Sequence, residues 1–167
     1  MTKNEIITLV RKFINDEQGS GYPGFDNLEE PEGVTELLNY LDRAVDVYSR
    51  RQAEAGDIRL LKRMSVSAMT RLPTDFLKFA GNVPFEVVID HVEFYGHPAG
   101  AAIPVKYFAR LPYVTAYTDS EALGYEHDQC MTIAALAAIY ALNKHEFNVS
   151  QDLMLLGMGE TNAGKSG

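Results

Sequence analysis

The last stretch of the sequence carries a pattern that binds phosphate in other proteins. Gly159-Glu160-Thr161-Asn162-Ala163-Gly164-Lys165-Ser166 matches a P-loop letter for letter. That motif works because a strand enters it and a helix leaves it, so that loop amides and the helix N-terminus cradle the phosphates. Here a predicted helix enters it and only Gly167 follows in the sequence. The match is read as a coincidence within a glycine-rich tail.

Two further groupings have the right residue types for chemistry. His91 and Glu93 share one face of a predicted strand, and His97 lies in the turn beyond. Imidazole and carboxylate together suit zinc. Two imidazoles without a clear third ligand fit better with the polar outer face of a half-exposed hairpin. Glu126, His127 and Asp128 precede Cys130, and a thiol beside an imidazole is a possible nucleophile. Cys130 opens an apolar run and has no separate orienting group, so a buried, inert thiol is expected. The acids before it compensate a helix dipole. No nucleophile elbow, paired-carboxylate signature or internal glycine-rich fingerprint occurs. The sequence predicts no catalytic, cofactor-binding or metal-binding residues, and a chain that is not an enzyme. The alternatives are a small enzyme or binding module that uses the hairpin histidines, an enzyme built on Cys130, or a module that docks a helix or peptide in an apolar groove.

The 167 residues fit one domain with a proper core. A single cysteine excludes an internal disulfide framework and suits synthesis in a reducing cytoplasm. The N-terminus interleaves charges with apolar residues, unlike a signal peptide. The most apolar run, Cys130 to Leu142, is shorter than the ~18 to 20 residues that cross a bilayer. A soluble protein without membrane contact is expected. The formal net charge of −8 argues against wrapping nucleic acid. It is compatible with an acidic channel wall that lets DNA slide past.

The elements that must position these residues follow from periodicity. Ile6, Val10, Phe13 and Ile14 predict a helix over 3–15, with Thr2 or Asn4 as its cap. A long irregular loop, 16–30, follows. Val34, Leu37, Leu38, Leu41, Val45 and Tyr48 form one stripe of a helix over 31–55, stopped by Gly56. Residues 60–112 form a small β region. Within it, 60–69 is a strand, 76–79 a short helical turn, and 85–95 pairs with a returning strand at 105–110, as one hairpin whose wide tip is the turn 96–100. A helix over 126–145 is apolar nearly all round and belongs in the centre of a domain or at an interface. Ser150 caps a last helix, 150–157, and 159–167 is a flexible tail. The fold class is α+β, mainly α: one domain, 1–158, built as a helical bundle with an inserted β hairpin region.

Aromatic side chains gather in the second half, and Tyr and Arg are enriched where proteins bind. Candidate interface residues are Tyr95, His97, Tyr107, Phe108 and Arg110 in the β region, and Met158, Thr161 and Lys165 in the tail.

Three stretches, in order, carry a family resemblance. The first is Ile6 to Asp16 (IITLVRKFIND), then Thr35 to Arg51 (TELLNYLDRAVDVYSRR) after a loop. The second is Leu72-Pro73-Thr74-Asp75-Phe76-Leu77. The third is Tyr107-Phe108-Ala109-Arg110-Leu111-Pro112, followed by an acidic linker and Tyr125-Glu126-His127-Asp128 at the head of an alanine-rich helix. Together they resemble the head-to-tail adaptor, or head–tail connector, proteins of tailed bacteriophages. The chain departs from that pattern in its longer loop, Gly19 to Gly33, and in the helix start at Pro31. The resemblance implies a structural protein of the virion neck, made in the host bacterial cytoplasm. It implies a homo-oligomeric, twelvefold ring below the portal protein, with a tail or nozzle protein beneath and double-stranded DNA passing through without specific binding. The tail would reach up to the portal. Another neck or tail-completion protein is the nearest alternative.

Overall fold

The computed structural model describes residues 1–14, 31–94 and 102–144. The loop over 16–30, the wide tip over 96–100, the helix over 150–157 and the tail lie outside the described residues. The described elements are mixed α and β, as expected for an α+β chain. They divide into two compact units, Met1–Val45 with Tyr113–Gly167, and Asp46–Pro112.

In the first unit, helix α1 (Lys3–Phe13) starts with a capping box. Glu5 donates its backbone N–H to Thr2 Oγ1 at 3.3 Å, and the Thr2 N–H reaches Glu5 Oε2 at 2.7 Å. Two of the orphan donors at the helix start are thereby satisfied. Ile6, Val10 and Ile14 are buried on one stripe, and α1 packs against helix α3 (His127–Lys144). Helix α3 buries Cys130, Ile133, Ala134, Leu136, Ala137, Ala138, Ile139 and Ala141. A helix buried so far around its circumference sits in an interior, as its composition requires. Its one buried polar side chain, Gln129, is satisfied by accepting the Glu126 N–H at 2.8 Å, three residues back.

Helix α2 (Pro31–Ala55) contributes to both units. Its buried residues, Leu37, Leu41, Ala44, Val45 and Tyr48, recur every three to four positions. It ends where expected, at Gly56, whose φ is +80°. Gly56 N–H reaches Ala53 O at 3.2 Å and Asp57 N–H reaches Gln52 O at 2.9 Å. That pair of bonds is the Schellman arrangement, which needs a left-handed residue at this position.

Residues 113–126 are tied down within the first unit. Asp42 of α2 accepts Val114 N–H at 2.7 Å, Thr115 N–H at 3.3 Å and Thr115 Oγ1 at 2.5 Å. Leu123 N–H donates to Met1 O at 2.9 Å, and Lys3 pairs with Asp119 at 3.1 Å.

The second unit holds five strands. β1 (Leu61–Val66), β2 (Phe76–Phe79) and β5 (Ile103–Ala109) form an antiparallel sheet in the order β1-β5-β2. β3 (Phe85–Val88) and β4 (His91–Phe94) form a hairpin. The hairpin's other edge is extended by residues 69–72, through Met69 N–H to Val92 O at 3.0 Å and Leu72 N–H to Asp90 O at 2.9 Å. Two expectations are corrected here. Residues 76–79 are a strand, because β5 offers them an edge and both phenylalanine rings find aromatic neighbours. The expected pairing of 85–95 with 105–110 does not occur. The hairpin closes earlier, through the two residues Ile89 and Asp90, and β5 pairs instead with β1 and β2.

The two sheets meet face to face. Val66, Phe85 and Val92 are buried between them, with Met64, Phe79, Phe94 and Val105 packed around. On the other side of the three-stranded sheet, a second cluster joins Phe108 and Leu60 to Ala53 of α2. Among the described residues, this cluster covers the end of that face nearest Leu61 and Phe108.

Candidate functional site

The groups singled out for chemistry are placed as follows. Cys130 is fully buried in α3. Removal from water is the largest cause of its raised pKa, which suppresses the thiolate a nucleophile needs. His127, by contrast, is exposed. It lines an open groove of about 560 Å³ along α1, with Met1, Asn4, Glu5, Thr8, Leu9 and Lys12. His91 has both ring nitrogens beside carboxylates, Nδ1 at 3.4 Å from Asp90 and Nε2 at 3.2 Å from Glu93. Among the described residues, no group of three or more His, Cys, Asp or Glu side chains is arranged to hold a metal ion. The stretch 159–166 lies outside the described residues.

Of the candidate interface residues, Tyr107, Phe108 and Arg110 are described. Tyr107 is buried, its hydroxyl 3.3 Å from Asp75 Oδ1 and its ring stacked on Phe76. Burial, followed by the nearby Asp75 carboxylate, raises its pKa. Phe108 is buried in the second cluster with the Lys78 ammonium 5.2 Å from its ring centroid. Both side chains therefore build the core of the β unit. Arg110 lies 3.9 Å from Asp46 of α2, and its backbone N–H bonds Asp75 O at 2.7 Å. Next to it, Leu111 N–H satisfies the buried Ser49 hydroxyl at 3.1 Å. These contacts fasten the end of β5 to α2. Tyr95, His97, Met158, Thr161 and Lys165 lie outside the described residues.

The surface features with most physical content were not singled out by the sequence. Directly opposed residues of an antiparallel pair point to the same side of the sheet. Arg63 of β1 stands opposite Lys106 of β5, and Glu86 of β3 stands opposite Glu93 of β4. All four are exposed. Strands β1, β2 and β5 contain Lys62, Arg63, Lys78 and Lys106 and no acidic residue, while the β3–β4 hairpin contains Glu86, Asp90 and Glu93 and no Lys or Arg. The charges were visible in the sequence, but only the register reveals that like faces like.

Ile89 and Met69, in the turns at one end of the hairpin, add exposed apolar surface. Both have φ near +60°, a region that non-glycine side chains rarely occupy and a β-branched one resists.

No helix among the described residues is long and apolar enough to cross a membrane. Compared with models of known families and with curated proteins, the chain matches none.

Proposed function

We propose that this chain is a head-to-tail adaptor of a tailed bacteriophage. In this reading it is a structural virion protein, not an enzyme, that assembles as a homo-oligomeric ring between the portal and the tail and lets DNA pass. The observation that carries the reading is an insertion. Residues 46–112 form a compact β unit whose chain leaves and re-enters a helical unit. That order of elements is the one the three sequence stretches imply. The helices would form a bundle and the β unit its insertion. The net charge of −8 supports a channel lining that does not grip DNA. The buried Cys130 supports a structural rather than a nucleophilic thiol.

Co-purification with the portal protein of the same phage, followed by imaging of the particles, tests the reading. A ring of this chain stacked below the portal is the expected result. A chain that ignores portal and joins no neck particle sinks it. Deleting residues 159–167 should weaken portal binding, and unchanged binding would remove the tail from the interface.

A further inference from the structure

The three-stranded sheet carries a cationic outer face. Its inner side supplies Val66, Met64, Phe79 and Val105 to the apolar layer shared with the hairpin. Side chains alternate across a strand, so the residues between those positions point outward. The outward pairs of β1 and β5 are Leu61 with Phe108, Arg63 with Lys106, and Ser65 with Pro104. Ala53 of α2 packs at the end that holds Leu61 and Phe108. Beyond it, Arg63, Lys106, Ser65 and Pro104 are all exposed. On β2, Lys78 stands opposite Phe108 and is exposed too, its ammonium 5.2 Å from the centroid of that ring.

These three cations make a row that crosses all three strands. Directly opposed Cβ atoms, as in Arg63 and Lys106, lie about 4.5–5.5 Å apart, and diagonal neighbours, as in Lys106 and Lys78, roughly 7–8 Å. Like charges so placed repel. Other cations of the same unit are neutralised internally. Lys62 reaches Asp75 at 2.6 Å, Arg59 reaches Asp57 at 2.7 Å and Arg50 reaches Asp46 at 2.8 Å. Arg63, Lys78 and Lys106 have no such carboxylate among the described residues, and their three strands contain no acidic residue.

A row of unneutralised positive charge fits a polyanion, and two features of the face say which kind. Protein partners are held by apolar anchors in a desolvated centre. The large apolar side chains most exposed among the described residues, Phe13, Ile58, Met69, Val87 and Ile89, all lie off these three strands. Single-stranded nucleic acid is held by stacking its bases on aromatic rings. The ring on this face, Phe108, is buried. What remains is contact to the phosphates of a duplex, which Arg and Lys make without reading bases.

We propose that this face binds the phosphate backbone of double-stranded DNA, with Arg63 and Lys106 as the central contacts and Lys78 beside them. The contact rests on the adaptor reading only for bringing DNA within reach, and it adds a surface to that reading. Three cations on a chain of net charge −8 keep it weak. A contact this weak, and blind to sequence, lets DNA move past it.

The test mixes the full chain with fluorescently labelled duplexes of two unrelated sequences and reads anisotropy across a salt series that starts low. Both duplexes should bind equally, with the logarithm of affinity falling against the logarithm of salt at a slope of about −3 or shallower. Lys106→Gln should flatten that slope by about 1, and Arg63→Gln with Lys106→Gln by about 2. Both variants remove cross-strand repulsion, so their unfolding midpoints should hold or rise while binding falls. Lys62→Gln removes the same charge from the other side of β1 and should leave the slope unchanged. Arg63→Lys should retain binding.

Wild-type chain that leaves both duplexes unbound at low salt overturns the contact. So does binding that the double variant leaves intact. If Lys62→Gln weakens binding as much as Lys106→Gln, net charge alone accounts for it and the face is not the site. Tighter binding to single strands, or to one of the two sequences, overturns the proposal in favour of base contacts. Self-association lost in the double variant, with no DNA bound by the wild type, makes the face a protein interface instead. Portal co-purification is read separately. A ring below the portal without DNA binding removes this contact and leaves the adaptor reading, and DNA binding by a chain that ignores portal does the reverse.

Discussion

The Phe79 and Phe85 rings meet edge to face, with centroids 4.9 Å apart and planes at 78°. Phe79 belongs to the three-stranded sheet and Phe85 to the hairpin, so this contact joins the two layers of the β unit. It lies within a run of rings. Tyr107 stacks on Phe76, Phe76 meets Phe79 at 4.7 Å, and Phe85 meets Phe94 at 5.1 Å. Edge-to-face rings at these separations gain quadrupole attraction beyond their buried area.

Phe85 is 4% exposed, so Phe85→Ala should leave a void between the sheets and cost about 3–5 kcal/mol. Phe79→Leu keeps apolar volume and loses only the ring contact, and should cost about 1 kcal/mol. Urea denaturation of both variants measures the difference. A Phe79→Leu variant as stable as the wild type would mean that the ring geometry carries nothing beyond burial.

Asp42 holds the chain after the β unit by accepting three hydrogen bonds from Val114 and Thr115. Asp42→Ala should release this anchor and cost about 1.5–3 kcal/mol, the range for bonds to a charged acceptor. The lower end is expected because Thr115 is exposed. Hydrogen exchange offers a local readout: the Val114 and Thr115 amides should lose protection while buried amides of α3 keep theirs. Thr115→Val, which removes only the hydroxyl bond, should have a smaller effect.

Tyr40 has its pKa pushed up to about 12, first by burial and then by its hydroxyl hydrogen bond to Glu36 at 2.8 Å. A folded pKa above the unfolded value of 10 means the native state holds this proton more tightly. The stabilisation is fully present below pH 10 and is lost as pH rises from 10 through about 12. Spectroscopic titration of phenolate should show a late component that Tyr40→Phe removes. Tyr40→Phe should also flatten the fall in stability over that window. An unchanged titration curve would contradict the Tyr40–Glu36 bond.

The helices were legible because their signals are local. The apolar stripe of α2, its glycine stop at Gly56 and the nearly all-round apolarity of α3 depend on spacing along one element. The strand pairing was not legible, for two physical reasons. Residues 76–79 became a strand only because β5 supplied an edge, which is a tertiary condition. The turn at Ile89 and Asp90 lacks glycine, so turn composition points instead to the glycine- and proline-rich stretch over 96–100 as the hairpin tip. The same gap affected the surface. Aromatic type at Tyr107 and Phe108 could not distinguish core from interface, since both tasks favour large rings. The opposed pairs Arg63/Lys106 and Glu86/Glu93 exist only once the register is known.

Ile89 is the sharpest local conflict in the β unit. It is 94% exposed, β-branched, and held at φ +61° in a two-residue hairpin turn. Such turns place glycine or asparagine at positive φ, because a Cβ there meets the backbone at a cost of about 1–2 kcal/mol. Exposed isoleucine regains none of this through burial in the single chain. Ile89→Gly should therefore stabilise the isolated chain by up to about 1 kcal/mol, less than the full strain because glycine also gains freedom when unfolded. Met69→Gly, at φ +62° and 67% exposed, should act in the same direction. Thermal unfolding of the two variants measures the gain. If Ile89→Gly stabilises the chain while its self-association weakens, the strained side chain belongs to the contact between copies. If it stabilises and assembly is unchanged, the hairpin tip stands outside that contact. A loss of stability would show that the Ile89 side chain has packing partners in the folded chain.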